Sequence, residues 1–221
     1  MATEVTICNL ALSRIGSQAS VSSINPIDGS EESEACSRLY PVALATMLDL
    51  HPWAFATKRA ELAELADSPG VSKGQWRHAF SLPADCARVV NLEPTVPDEK
   101  VADDSHCLWA RMRPLLVPPR LEFEVVAAPF GQVLLADLPH PTARYVTKEP
   151  KPSQFSGLFT DALAWMLAGY LCGEVHRGDS AYQYVKHCQE QFNRVVGSAM
   201  EQDAKSTRVH RRHIPSWILR R

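Results

Sequence analysis

The distribution of proline constrains the fold of this chain more than any other feature of its sequence. Eleven of the sixteen prolines lie between Pro83 and Pro152. Proline breaks the hydrogen bonds of a helix interior and is confined to the edges and ends of sheets. The flanking regions hold few prolines and show apolar residues at helical spacing. The sequence therefore predicts a helical region, then strands and loops, then a second helical region.

Three helices are predicted in the N-terminal region. The first covers residues 3–15, where apolar residues fall on one face. The second follows a loop in which Asp28 and Glu31 resemble a capping box. Its apolar stripe continues beyond Pro41, which predicts a kink rather than an end. A third helix is predicted over residues 55–65.

The proline-rich middle predicts a small antiparallel β domain. Five strands are predicted, over residues 76–82, 86–92, 121–126, 132–136 and 143–147. Residues 122–125 alternate polar and apolar side chains, which is typical of a half-buried strand. No helix is predicted between the strands, so the sheet or barrel they form should be antiparallel.

Two further helices are predicted after the β domain. The helix over residues 154–176 carries apolar residues around nearly its whole circumference, which predicts burial on all sides. We expect a neighbouring subunit to supply part of that burial, with Trp165 in the subunit interface. The last helix, residues 179–205, has an apolar seam at 3.5-residue spacing, which predicts packing against a partner helix.

Together these patterns predict an α+β protein: mainly an α-helical bundle with an inserted small antiparallel β domain and an extended C-terminal arm. We place the first part of the bundle at residues 1–73 and the β domain at 74–150. The second part of the bundle follows at 151–205, and the arm at 206–221.

Composition indicates a protein that stays in the compartment where it is made. No apolar run reaches the roughly 20 residues that a bilayer requires, and the N-terminal residues lack the pattern of a secretory signal. The six cysteines are scattered, without a Cys-x-x-Cys pair. We expect them to be reduced, as in a cytoplasm, and we expect no membrane partner.

The sequence contains no motif that points to catalysis. It has no phosphate-binding glycine loop and no signature of a hydrolase or a zinc protease. Four groups on two predicted helices could in principle hold zinc: Cys172, His176, His187 and Cys188. Because neither pair has a recurrent metal-finger spacing, small core cysteines with histidines at the polar edge are the favoured interpretation. We expect no catalytic residue, no cofactor and no metal, and a protein that is not an enzyme.

The C-terminal residues predict a segment with a partner of its own. The chain has a net charge of −2, yet from Lys205 onward it has six basic residues and no acidic ones. Apolar residues alternate with the arginines there, which fits docking into a groove, with apolar anchors and arginine pairs at the rim. The residues expected to dock are Arg208, Arg211, Arg212, Ile214, Trp217, Ile218 and Leu219. Two alternatives stay open: a solvated terminus, and nucleic acid bound through arginine and Trp217.

Three segments, in this order, carry a family resemblance. They are residues 7–16, Tyr40-Pro41 followed by residues 48–60, and residues 76–86. They resemble the tail tubular protein A family of short-tailed bacteriophages, which are head-to-tail adaptors. The most specific piece consists of His51, Pro52, Trp53 and Phe55. The resemblance covers about the first 90 residues and continues loosely through residues 144–146 and 155–171.

The resemblance implies a virion structural protein that forms a ring between the portal protein and the tail. It implies twelve copies, with double-stranded DNA passing through the lumen without sequence-specific contacts. The C-terminal segment would dock on the portal, and the β domain would face the next tail component, a nozzle or a fibre. The protein would be made in the cytoplasm of a bacterial host and would reside in the virion tail. The family has no catalytic residues to transfer.

Two further expectations concern surface charge. Lys58 and Arg59 should lie near the surface, either in contact with an acidic face of a neighbouring subunit or simply solvated. The alternative to the adaptor is a small DNA-binding accessory protein that uses its basic C-terminal tail.

Overall fold

A computed structural model describes residues 2–65, 74–94, 122–129, 131–175 and 179–206. Helices and antiparallel strands both contribute substantially, which confirms the predicted α+β class. The chain divides into two compact units. We call them the helical unit, which is formed by the described residues up to Ala56 and from Lys148 to Ser206, and the β unit, which lies between Thr57 and Thr147.

The described part of the helical unit contains four α-helices. They are α1 (Glu4–Arg14), α2 (Glu31–Leu50), α3 (Gly157–Val175) and α4 (Asp179–Ser206). Two short 3-10 helices accompany them, Ala54–Ala56 and Pro152–Gln154. The predicted helices over 3–15, 154–176 and 179–205 are confirmed to within a turn, and α2 continues through Pro41 as predicted.

The start of α2 differs from the prediction. Ser30 is the cap residue, and its side-chain oxygen accepts a hydrogen bond from the backbone N–H of Ser33 at 3.1 Å. Asp28 instead accepts from the backbone N–H and hydroxyl of Ser30, at 3.0 and 2.6 Å. The predicted capping box of Asp28 with Glu31 is wrong, because a serine nearer to the helix already fills the cap position.

The helix predicted over residues 55–65 is also wrong. The 3-10 turn at Ala54–Ala56 leads directly into β1 (Thr57–Glu61), and β2 (Ala63–Glu64) follows. Local propensity favours a helix here, but pairing with a distant strand overrides it. The β unit therefore begins at Thr57, before residue 74, where the sequence placed its start.

The described strands of the β unit form two antiparallel sheets. Its remaining strands are β3 (His78–Ser81), β4 (Cys86–Pro94), β5 (Phe123–Ala128), β6 (Gly131–Ala136) and β7 (Pro141–Thr147). One sheet has the order β1-β7-β4 and the other the order β2-β3-β6-β5. Phe80 and Leu134 from one sheet share a buried cluster with Leu92 and Ala143 from the other. The five predicted strands and their antiparallel pairing are confirmed, but they form two sheets rather than one.

Helix α3 is the centre of the helical unit. Helices α1, α2 and α4 all pack against it, and eight of its residues are buried: Phe159, Ala162, Leu163, Ala164, Leu167, Ala168, Leu171 and Cys172. The apolar circumference predicted burial on all sides, and helices of the same chain provide most of it. Trp165 is only partly buried, so the expectation that a neighbouring subunit covers part of this helix stays a prediction. Helix α4 packs against α3, so α3 is the partner helix that its seam predicts, although Tyr182 at the start of the seam stays exposed.

Candidate interaction surfaces

Residues 7–16, the first segment of the family resemblance, have a structural role in the helical unit. Ile7, Leu12 and Ile15 are fully buried. The Asn9 side chain donates to the carbonyl of Val21 at 2.9 Å and accepts from its N–H at 2.8 Å. This amide therefore holds the loop after α1 against the helix.

The second segment forms a corner at the end of α2, with Trp53 at its centre. Trp53 is fully buried, and its indole N–H donates to the carbonyl of Met47 at 2.7 Å. Its ring meets the edge of Phe159 at a centroid distance of 4.9 Å, and Phe55 meets Phe159 at 4.7 Å. Phe155 completes this aromatic cluster. Such edge-to-face contacts add to the stabilisation from burial alone.

Asp203 ties this corner to the C-terminal end of α4. Its carboxylate accepts from the backbone N–H of Ala54 at 3.1 and 3.2 Å and lies 3.1 Å from Nε2 of His51. The N–H of Ala54 belongs to the first turn of the 3-10 helix, so the carboxylate caps that turn. Asp203 is three residues from the end of α4, so these bonds hold the last turn of the helix against the corner.

The third segment, residues 76–86, contains a carboxylate that links strands of the β unit. Asp85 accepts from Lys58 Nζ at 2.7 Å, from the Tyr145 hydroxyl at 3.0 Å and from the Thr147 hydroxyl at 3.1 Å. These bonds, with that to Lys58 the strongest, lower the pKa of Asp85. Burial and the neighbouring Asp85 raise the pKa of Tyr145 to about 12. Asp85 lies within the third segment of the resemblance, but the sequence predicts no role for it, because its partners lie on distant strands.

Lys58 and Arg59 lie on β1 with exposed side chains, and both have partners within the chain. Lys58 pairs with Asp85, and Arg59 lies 3.5 Å from a carboxylate oxygen of Glu93. Exposed pairs of this kind contribute little to stability. Both cations therefore have a partner within the chain, and their contact with a neighbouring subunit stays a prediction.

Trp165 on α3 is partly covered by its own chain. The Arg14 guanidinium lies 4.2 Å from the centre of the Trp165 ring. Arg14 also forms an ion pair with Asp161 and donates to its carbonyl at 2.8 Å. Burial lowers the pKa of Arg14, and the Asp161 charge opposes that shift. On α4, the His187 ring meets Trp165 edge-on at 5.8 Å.

An apolar groove lies between α3 and α4. Its volume is about 180 Å³, and it is lined by Trp165, Met166, Gly169, Tyr170, Val185, Cys188, Gln189 and Phe192. A neighbouring group of exposed side chains includes Tyr182, which exposes 70% of its surface. Contiguous exposed apolar surface of this kind marks sites of protein interaction. The groove thus contains Trp165, which the sequence placed at an interface, and adds residues of α4 that the sequence did not single out for this role.

The cysteines predicted as core residues are buried. The sulfurs of Cys172 and Cys188 lie 4.0 Å apart across α3 and α4, and burial raises the pKa of both thiols, that of Cys172 to about 12. His187 contacts Trp165, and His176 lies outside the described residues. In the part of the chain that the structure describes, no group of three or more potential ligands is placed to hold a metal ion.

The expected docking residues of the arm, Arg208 to Leu219, lie outside the described residues. No helix within the described ranges is long and apolar enough to cross a bilayer. No model of a known protein family matches the sequence. The curated proteins likewise contain no match to it.

Proposed function

We propose that this protein is a head-to-tail adaptor of a short-tailed bacteriophage, a non-enzymatic subunit of a ring between the portal and the tail. Twelve copies would surround a lumen through which the DNA passes. The C-terminal residues 208–221 would dock on the portal, and the β unit would face the next tail component. The three segments of the family resemblance are the basis of this proposal.

The observation that carries the proposal is the anchoring of the end of α4 by the His51–Phe55 corner. The residues most specific to the resemblance hold Asp203, and Asp203 lies just before the basic and apolar C-terminal residues. A docking segment is most effective when it starts from a fixed point, because less conformational freedom is lost on binding. Burial of each of the side chains of Trp217, Ile218 and Leu219 would contribute about 1.5–3 kcal/mol to the free energy of binding.

Electron microscopy of the purified protein, alone and mixed with the portal protein of the same virus, tests this proposal. The expected result is a ring-shaped layer added to the portal, from which the copy number can be counted. Deletion of residues 208–221 should abolish portal binding and leave the helical content and the thermal midpoint unchanged. Normal portal binding by the truncated protein would contradict the docking role of residues 208–221. If the full-length protein does not bind the portal, the proposed adaptor function is contradicted.

The alternative, a small DNA-binding accessory protein, is favoured by one observation: six basic residues and no acidic ones from Lys205 onward. It predicts DNA binding that weakens steeply with salt. Two matched variants separate the functions. Replacing Arg208, Arg211 and Arg212 with glutamine should abolish DNA binding, whereas replacing Ile214, Ile218 and Leu219 with serine should affect portal docking far more than DNA binding.

A further inference from the structure

Two cysteines from consecutive helices are in contact near one end of the α3–α4 pair. The sulfurs of Cys172 on α3 and Cys188 on α4 lie 4.0 Å apart, and the two residues are 0% and 1% exposed. A Cβ atom placed on Gly169, one turn earlier in α3, would lie 3.7 Å from Cβ of Cys188. The glycine therefore lets the two helices approach closely at this point.

The separation of the two sulfurs allows a disulfide after a small movement. A disulfide has an S–S distance of about 2.0 Å, so the sulfurs must approach each other by about 2 Å. Rotation of the two side chains and a slight shift of the helices can supply that approach. The cysteines are 16 residues apart in the chain, so the bond would close a hairpin of two helices.

The pair lies in the outermost buried layer at this end of the two helices. On α3, Gly173 and Glu174 follow Cys172 and are exposed. On α4, residues 182–187 precede Cys188 and are all exposed. Segments with few buried contacts open locally at a low free energy. Little burial therefore holds the helix ends beyond the two cysteines, and a bond at this layer would restrain them.

Cys188 is the thiol that a small molecule would reach first. It lines the α3–α4 groove, which has a volume of about 180 Å³, whereas Cys172 is not among the described lining residues. Burial raises the pKa of Cys188, but the hydrogen bond from the Cys172 thiol and the charge of Arg14 oppose that shift. Access and charge together favour Cys188 as the thiol that reacts first, because the thiolate is the nucleophile.

We propose that Cys172 and Cys188 form a thiol–disulfide switch that fastens the end of the α3–α4 pair, with a low-molecular-weight disulfide as the oxidant. The Cys188 thiolate attacks one sulfur of the small disulfide, whose S–S bond breaks, and one small thiol leaves with the proton. Cys172 then loses its proton and attacks the Cys188 sulfur, which releases the second small thiol. The two protein thiols thereby lose two electrons and two protons, and the small disulfide gains them.

This switch goes beyond the proposed function and does not depend on it. In a reducing cytoplasm the pair stays as two thiols, in agreement with the expectation from the scattered cysteines. The helix end can then open. In an oxidising medium outside a cell the disulfide forms and holds α4 against α3.

Disulfide mapping tests the chemistry. The reduced protein, freed of reductant, is incubated with oxidised glutathione, alkylated and digested with trypsin. Cys172 and Cys188 lie in different tryptic peptides, residues 149–177 and 187–194. The expected major product is these two peptides joined by a disulfide. Two alkylated peptides, or Cys188 joined only to glutathione, would overturn the proposal, because the pair would then not close.

Two matched alanine variants identify the attacking thiol. Cys172→Ala should accumulate Cys188 joined to glutathione, because the second thiol is missing. Cys188→Ala should give at least about tenfold less of the mixed disulfide at Cys172. Equal modification of the two variants would overturn the order of attack. Alanine is small and apolar, and circular dichroism of each reduced variant checks that the fold is kept.

Amide hydrogen exchange tests the switch itself. Oxidation should slow exchange in residues 181–187 by at least about tenfold, because the disulfide suppresses local opening. The double variant C172A/C188A, treated in the same way, is the control and should show no change. A disulfide that forms without slowing this exchange would overturn the switch. An equal change in the double variant would overturn it as well, since the effect would then come from other cysteines.

Discussion

Tyr40 carries a buried hydroxyl that has no hydrogen-bond partner among the described residues. Its side chain is 3% exposed, and burial raises its pKa. A buried hydroxyl without a partner loses its hydrogen bonds to water and gains none in return, at a cost of about 1–3 kcal/mol. Trp53 shows the opposite arrangement, since its indole N–H is both buried and bonded to the carbonyl of Met47.

Tyr40→Phe should therefore leave the free energy of unfolding unchanged or raise it by up to about 1 kcal/mol. Trp53→Phe, a control that removes a bonded N–H and buried volume, should lower it by about 1–3 kcal/mol. Urea denaturation of both variants measures the difference. A loss above about 1 kcal/mol in Tyr40→Phe would show that the hydroxyl has a partner after all.

Asp85 makes the stability of the β unit depend on pH. Bonds from Lys58, Tyr145 and Thr147 lower its pKa in the folded state. A carboxyl with a lowered folded pKa stabilises the fold fully above its unfolded pKa of about 3.9, and that contribution is lost as the pH falls through the folded pKa. The carboxylate is 34% exposed, so solvent screening reduces the effect.

Asp85→Asn should lower the free energy of unfolding by about 1 kcal/mol at pH 7. The difference from the wild type should shrink as the pH falls below the unfolded pKa and through the lowered folded pKa, because the wild-type carboxyl then becomes protonated. Denaturation curves at several acidic pH values measure it. A difference that does not change with pH would show that the asparagine acts through packing rather than through charge. Glu201→Gln changes an exposed carboxylate on α4 and is the control, which should leave the free energy of unfolding nearly unchanged.

At the scale of elements, periodicity predicted α1, α2, α3 and α4 because each carries its own apolar face. The stretch over residues 55–65 was predicted wrongly for a physical reason. Its strand character comes from pairing, Thr57 with Val146 and Ala60 with Ala143, across more than 80 residues of chain. Contacts at that sequence separation leave no local pattern, so neither β1 nor the two-sheet arrangement could be read from the sequence.

The residues that line the α3–α4 groove were also predictable only where a local pattern marks them. Trp165 was singled out because its helix is apolar all round, and it does line the groove. Tyr170, Val185 and Phe192 also line it, but only the packing of α4 against α3 brings them beside Trp165. Asp203 left no signal at all, because one carboxylate in a long polar helix face has no distinctive pattern.

Asp203 connects two elements, and its removal should loosen both. Asp203→Ala removes the acceptor for the Ala54 N–H and the partner of His51, so the free energy of unfolding should fall by about 1–2 kcal/mol. Amide hydrogen exchange should accelerate at residues 54–56 and in the last turn of α4. Glu201→Ala, two residues away and exposed, removes a surface pair with Lys205 and should leave the free energy of unfolding nearly unchanged. Equal exchange in both variants would contradict an anchoring role for Asp203.

At the scale of the whole molecule, the chain enters and leaves the β unit at neighbouring positions. Strand β1 begins at Thr57 and β7 ends at Thr147, and Thr57 pairs directly with Val146. Paired residues of antiparallel strands have Cα atoms about 5 Å apart. Insertion of one domain into another is tolerated when its termini lie this close. The helical unit has a core of its own around α3, with Trp53 and Phe159 buried within it.

The helical unit should therefore fold without the β unit. A variant in which residues 57–147 are replaced by a linker of four to six glycine and serine residues should retain the helical circular dichroism expected for α1 to α4. It should also unfold in a single cooperative transition, because α1, α2 and α4 pack around α3 and form a core within this unit. Adding Trp53→Ala to this variant should abolish the transition, since losing a fully buried tryptophan costs about 3–5 kcal/mol, a large share of the stability of a small domain. A linker variant that is helical but melts without cooperativity would show that the two units stabilise each other, and the β unit would then be part of the folding core rather than an insertion into it.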